Sequence, residues 1–181
     1  MAFLATPALA RDGAAIKTQF DAGVTAYDAG DYRKAFELWW DLQYEDAAAM
    51  RNAATMLRKG QGATKDPGKA MELLERAATV SIVAQMDLAD MLLKGEAGPP
   101  DLEHALPLLQ SAAASGHPLA QFKLGEFYET GAPPFVPQNL EVARRLYTAA
   151  AGNGSKDAAA RLAALPPPAP DAPKLDAQPG K

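Results

Sequence analysis

The feature that most narrows what this chain can fold into is an internal repeat. Lys34-Ala35, Lys69-Ala70, His104-Ala105 and Val142-Ala143 fall at matching places, 35, 35 and 38 residues apart. A glycine precedes each of them (Gly30, Gly60, Gly95, Gly131), and three residues before it stands an anchor: Tyr27, Leu57, Leu92 and Tyr128. The third and fourth residues after each alanine are large and apolar, as Leu38-Trp39, Leu73-Leu74, Leu108-Leu109 and Leu146-Tyr147. Small pairs follow as Ala77-Ala78, Ala112-Ala113 and Ala150-Ala151, where the first unit has Leu42-Gln43. Self-similarity at such a period marks stacked supersecondary units that cannot bury their apolar faces alone.

Within each half-unit the apolar residues recur at intervals of three, four and seven, as in Ala70, Leu73, Leu74, Ala77 and Ala78, which is helical spacing. Each unit therefore reads as a pair of helices. Forty alanines in 181 residues fit this, because alanine loses no side-chain entropy in a helix and lets backbones approach closely. Helix starts are signalled by side chains able to accept from free N–H groups: Asp31, Asp46, Asp66 before Pro67, Ser81, Asp101, Asn139 and Ser155, with His117 before Pro118 a weaker instance. The repeated glycine is expected to end each first helix in the left-handed conformation. Pro107 conflicts with a helix beginning at Asp101, since its ring opposes the Glu103 carbonyl, so a late start or a kink is expected there.

The string Ala120-Gln121-Phe122-Lys123-Leu124-Gly125-Glu126-Phe127-Tyr128-Glu129-Thr130-Gly131, followed by Val136-Pro137-Gln138-Asn139 and Ala143, closely resembles a Sel1-like repeat, a relative of the tetratricopeptide repeat. The second and third units match more loosely, and the first, with Tyr27-x-x-Gly30-Asp31-Tyr32, looks more like a tetratricopeptide unit. Departures include Ser81 where the family prefers glycine, Ala53-Ala54 in place of Leu-Gly, and two extra residues in the fourth loop, which holds Pro133, Pro134 and Phe135. The resemblance implies an all-α, right-handed α-α superhelical solenoid of about four helix-pair repeats plus a capping helix near Asp157 to Leu165. The repeat domain is expected over residues 18–165. Residues 1–17 form a leader, and residues 166–181, with six prolines, read as a disordered tail.

Ala8-Leu9-Ala10 before Arg11-Asp12 resembles a secretory cleavage site without a basic start, so residues 1–17 are read as a possible signal-peptide remnant. Export to a bacterial periplasm is expected on that pattern, with a cytoplasmic location the alternative. No apolar run is long enough for a membrane span, and mean hydropathy is -0.19.

Chemistry is sparse. With 18 Lys+Arg against 22 Asp+Glu the formal charge is -4, which leaves no electrostatic footprint for a nucleic-acid partner. The absence of cysteine excludes disulfides, thiolate zinc sites and a cysteine nucleophile. Gly60-x-Gly62 follows a helix instead of a strand, so it reads as capping and not as phosphate binding. His104 and His117 are expected to face solvent, Asp87 and Asp90 to form a surface pair with Lys94, Trp39 to be core and Trp40 to be freer. No catalytic, metal or cofactor site is expected.

What remains is a surface. A solenoid of helix pairs offers a concave face lined by the first helix of each unit. Counting back eight, five and one residues from each terminal glycine picks out Asn52, Thr55 and Lys59; Asp87, Asp90 and Lys94; and Lys123, Glu126 and Thr130. This stripe carries both charge signs, which suits a protein or peptide segment held by polar contacts; a solvated face has the same pattern. The Pro133 to Pro137 loop, with Phe135 and Val136, is a second candidate contact. The resemblance implies a non-enzymatic interaction scaffold or adaptor, possible roles lying in bacterial envelope or signalling regulation. Two other readings are a β-lactam-interacting, enzyme-like member, known for cysteine-rich relatives, and a self-associating structural module. The oligomeric expectation is a monomer or weak self-association.

Overall fold

The structure is a computed structural model that describes residues 11–167. The cleavage-like triplet Ala8-Leu9-Ala10 and the tail from Pro168 onward lie outside the described residues. Among the described residues there are nine α-helices and no strand: α1 Gly13–Asp28, α2 Tyr32–Asp41, α3 Ala47–Lys59, α4 Pro67–Ala78, α5 Ile82–Lys94, α6 Leu102–Ala114, α7 Pro118–Thr130, α8 Leu140–Gly152 and α9 Lys156–Ala164. Two compact units divide the chain, Met1–Ala112 and Ala113–Lys181.

In the first unit α1 packs on α2 and α3 on α4, and α3 also lies against α5. One apolar cluster runs through these elements, built on Trp39, Leu42, Leu57, Leu74, Leu88 and Met91. The alanine of each repeat marker, Ala35, Ala70 and Ala105, is fully buried, which is why the period could be read from alanine. In the second unit α7 packs on α8 and α8 on α9. Its core holds Ala143, Tyr147 and Ala150, with Ala158 and Leu165 brought in by α9. The expected capping helix is therefore present. Each large side chain fully buried in these cores contributes about 1.5–3 kcal/mol.

All seven expected caps accept from their helix: Asp31 from the Lys34 N–H at 3.2 Å, Asp46 from Ala49 at 2.7 Å, Asp66 from Lys69 at 3.0 Å, Ser81 from Ala84 at 3.3 Å, Asp101 from His104 at 3.0 Å, Asn139 from Val142 at 3.1 Å and Ser155 from Ala158 at 3.2 Å. Gly60 and Gly95 end α3 and α5 in the left-handed conformation, with φ of 69° and 65°, where a Cβ would be strained.

Five expectations need correction. First, α1 begins at Gly13 because Asp12 caps it, accepting from the Ala15 N–H at 2.7 Å; residues 13–17 are helix and not leader. Second, the first repeat runs one residue out of register: α1 ends at Asp28 with Ala29 as its cap, so Gly30, with φ 79°, stands one position beyond the cap. Third, Gly131 has φ 77° but ψ 152°. The chain leaves α7 extended, because the longer fourth loop closes on itself through an Ala132–Val136 bridge that buries Val136 to 2%. Fourth, of the late start or kink expected at Pro107, the late start does not occur: α6 starts at Leu102. The Ala105 N–H reaches Asp101 O at 3.2 Å, and Glu103 and Pro107 are both exposed, so water is at hand for the carbonyl that Pro107 leaves unpaired. Fifth, His117 is half-buried and makes no cap bond; its Nδ1 is buried with no hydrogen-bond partner among the described residues.

Candidate partner-binding surface

The repeat spacing brings α3 and α5, first helices of consecutive repeats, side by side in the first unit. Of the stripe residues there, Asn52 and Thr55 are half-buried and Lys59 is exposed. The Thr55 hydroxyl donates back to Arg51 O at 3.0 Å. On α5, Asp87 and Asp90 are not free. The Arg51 Nε donates to Asp87, and Asp90 accepts from Lys94 at 2.7 Å and from Arg58 at 3.3 Å.

Arg58 is the centre of this arrangement. Its side chain is only 16% exposed, and its Nη2 and Nε donate to the two carboxylate oxygens of Glu96, at 2.5 and 2.7 Å. Such a two-pronged bond fixes geometry as well as charge. The hydrogen bond to Glu96 raises the Arg58 pKa, against the opposing effect of burial. In Glu96 the Arg58 bond lowers the carboxyl below its ordinary value. In Asp90, burial works to raise the pKa, but the bonds and charges of Lys94 and Arg58 outweigh it and the net shift is down. Arg51, Arg58 and Glu96 were missed in the sequence. Arg51 and Arg58 lie seven residues apart on one helix, a same-face spacing that faces the acidic residues of the next repeat.

The second unit carries the remaining stripe residues on α7. Lys123 and Glu126 are half-buried and Thr130 is exposed; the Thr130 hydroxyl donates to Glu126 O at 2.9 Å. In the fourth loop Phe135 is 44% exposed while Val136 is core, so the loop offers a single aromatic side chain. The two tryptophans divide as expected, Trp39 being 4% exposed and Trp40 half-buried, stacked on Phe36 with ring centroids 5.4 Å apart. Among the described residues no group of three or more His, Asp or Glu is placed to hold a metal ion. No helix among them is long and apolar enough to cross a membrane.

Capped helix hairpins at a period of about 35 residues, with buried repeat alanines and polar first-helix faces, define an α-α repeat protein. The Sel1 repeat matches at residues 47–79, 82–117 and 118–155, more than half of the chain, and the chain belongs to that family. No curated protein sequence matches it significantly. Among solved structures, a protective antigen of uropathogenic Escherichia coli strains that displays an SLR fold aligns with TM-score 0.73 and 26% identity, over 82% of this chain and 33% of that one. A Sel1 repeat protein from Oxalobacter formigenes aligns with TM-score 0.70 and 28% identity, over 79% and 58%. An immunity protein from Pseudomonas aeruginosa aligns with TM-score 0.58 at 22% identity, over 88% and 60%, a likeness of fold alone. The chain thus spans a third to three-fifths of the proteins it resembles. Sel1 repeats are generally non-catalytic protein-interaction scaffolds.

Proposed function

We propose that the chain is a non-enzymatic scaffold that binds a protein or peptide segment through the first helices of its repeats, α3, α5 and α7, in bacterial envelope or signalling regulation. The observation that carries the reading is the division of labour on those helices. Arg51, Arg58, Asp87, Asp90 and Glu96 tie α3 to α5 and the loop after it; Asn52 and Lys59 beside them, and separately Lys123 on α7 of the second unit, have no ion pair or side-chain hydrogen bond among the described residues. A rigid support with uncommitted polar groups is what recognition by polar contacts requires. The expected experiment is charge reversal at Lys59, Lys123 and Glu126, read by crosslinking and mass spectrometry of partners in the native compartment. Partner capture falls while the thermal midpoint is unchanged; unaltered capture counts against this face. Reversal at Asp90 is a poor test, because it removes part of the Arg58 clamp and costs stability.

Export rests on Ala8-Leu9-Ala10 and is tested by fusion to a phosphatase active only outside the cytoplasm. The β-lactam-interacting reading is tested by nitrocefin turnover, where none is expected, and self-association by light scattering over a concentration series.

A further inference from the structure

A second surface of the first unit is built quite differently from the polar stripe. Between α4, the end of α5 and the start of α6 lies a groove of about 510 Å³, within the size range of sites that enclose small ligands or anchor side chains. Its floor is aliphatic: Met71, Leu88, Leu92, Pro107 and Leu108. It continues past Met71 and Leu92 into a smaller recess of about 200 Å³ under the 95–101 loop. Its rim carries Glu75, Glu103 and Asp101, with His104 bonded to Asp101 at 2.7 Å. Glu75 and Glu103 are exposed and have no ion pair among the described residues, and no Lys or Arg lines either space.

The rim differs from that of the groove one repeat earlier. One repeat earlier the equivalent space, about 350 Å³, is lined by Phe36, Trp40, Leu57, Asp66 and Lys69, with Lys65 beside them. A shift of 35 residues maps Phe36 onto Met71, Trp40 onto Glu75, Leu57 onto Leu92, Asp66 onto Asp101 and Lys69 onto His104. The same shift replaces Gly68 with Glu103. The helix geometry that makes the groove is repeated, but its charge is not. Phe36 gives way to an aliphatic side chain and Trp40 and Gly68 to carboxylates, while Lys65 and Lys69 give way to Pro100 and His104.

We infer that the α4–α5–α6 groove docks a basic partner segment, one presenting an aliphatic side chain flanked by Lys or Arg. The aliphatic side chain desolvates against Met71, Leu92 and Leu108, with methionine giving the floor adaptability, while the cations meet Glu75 and Glu103, which have no ion pair among the described residues. Charge at such a rim sets partner choice and association rate more than raw affinity.

The test uses the full chain and fluorescence anisotropy with three labelled peptides: acetyl-Gly-Lys-Leu-Arg-Leu-Lys-Gly-amide, its counterpart with Glu and Asp in place of the basic residues, and its counterpart with Ser in place of Leu. The basic-aliphatic peptide is expected to bind at least tenfold more tightly than either counterpart. Replacing both exposed carboxylates, Glu75→Lys with Glu103→Lys, is expected to reverse the preference between basic and acidic peptides, with only a small fall in the thermal midpoint because Glu103 stands in the first turn of α6. The Lys59→Glu, Lys123→Glu protein is expected to bind the probe as the unaltered chain does, which separates this groove from the stripe on the first helices. The inference is overturned if the basic-aliphatic peptide fails to saturate, or if it binds the reversed variant equally well. It is also overturned if sedimentation shows a dimer that the peptide disperses, for then a second copy of the chain occupies the groove.

Discussion

The first and fourth hairpins fill their centres with one device, and the second and third use another. In the first, the Trp39 indole lies over Gly23 so closely that a Cβ there would sit 2.5 Å from the ring nitrogen. In the fourth, Tyr147 lies over Gly125, where a Cβ would meet the ring at the same 2.5 Å. The equivalent positions of the middle hairpins hold Ala54 with Leu74 and Ala89 with Leu109, all buried. A large ring over no side chain and a leucine over a methyl are two ways to fill one layer, as volume-conserving exchange in a core allows. The comparison explains why Ala53-Ala54 can depart from the Leu-Gly of the family: the leucine opposite needs less room than a ring.

The end hairpins differ in how they satisfy the polar tip of the ring. The Trp39 N–H donates to Phe20 O at 3.3 Å, a bond within the hairpin. The Tyr147 hydroxyl donates to Glu129 at 2.6 Å, and Arg161 on α9 reaches the same carboxylate oxygen at 3.4 Å. Burial and the bond to Glu129 both push the Tyr147 phenol far above its ordinary value, so it stays a donor. Tyr147→Phe removes a buried bond to a charged group, and we expect a loss of about 1.5–3 kcal/mol, read as a lower urea midpoint with faster amide exchange in α7 to α9. No change would mean that the carboxylate is held equally well by Arg161 alone.

Gly125→Ala tests the packing device itself. Helix propensity favours alanine by about 1 kcal/mol, but overpacking a filled core costs about 1–3 kcal/mol, and the obstacle is a fully buried ring with little room to move. We expect net destabilisation of about 1 kcal/mol. In the background of Tyr147→Leu, which imitates the middle hairpins, the same change should become neutral or stabilising. That non-additivity is the signature of a direct contact. A stabilising Gly125→Ala in the unaltered chain would break the comparison between end and middle hairpins.

The middle hairpins are joined to each other by an ionic tie, and acid should find it. Asp90 and Glu96 have folded-state pKa values below their ordinary ones. The stability they contribute is fully present above the unfolded values near about 4 and is lost as pH falls through the lower folded values. Urea midpoints followed from neutral pH to about 3 should therefore fall more steeply for the unaltered chain than for Arg58→Met, in which both carboxyls lose a partner. Parallel curves would show that Arg58 contributes nothing across that window.

Much of this fold was legible because alanine, glycine and cap residues act locally. Ala35, Ala70, Ala105 and Ala143 are buried wherever the period places them, and an aspartate or serine at a helix start needs only its own next turn to make its bond. Gly131 misled for the opposite reason. Its ψ is set by a bridge closing five residues on, at Val136, and a cap glycine that continues extended looks the same in sequence as a left-handed one. The candidate surface was less legible still. Counting back from glycines found the stripe on α3 and α5, but Asp87 and Asp90 face Arg51 and Arg58 from the neighbouring repeat, at separations of 36 and 32 residues. Helical periodicity carries no information on contacts between repeats. The acidic groove was invisible for a similar reason, since its charge appears only when two repeats are superposed.

The smallest expected effect concerns the one helix start at which the described residues show no side-chain cap. His117 has extended backbone, φ -68° and ψ 116°, and Pro118 follows it, the same local plan as Asp66 before Pro67, where the aspartate accepts from Lys69 at 3.0 Å. Imidazole reaches no N–H of its own helix, and its Nδ1 is buried with no hydrogen-bond partner among the described residues. His117→Asp puts an acceptor where the free N–H groups of α7 begin and a negative charge at the positive end of the helix, each favourable. It also removes the unpaired ring nitrogen. A gain of about 0.5–1 kcal/mol is expected, seen as a raised urea midpoint at neutral pH that shrinks once acid protonates the new carboxyl. A loss of stability instead would show that the imidazole contributes packing worth more than a cap, and that α7 is held at its start by side-chain contact and not by the hydrogen-bonded ends used elsewhere in the chain.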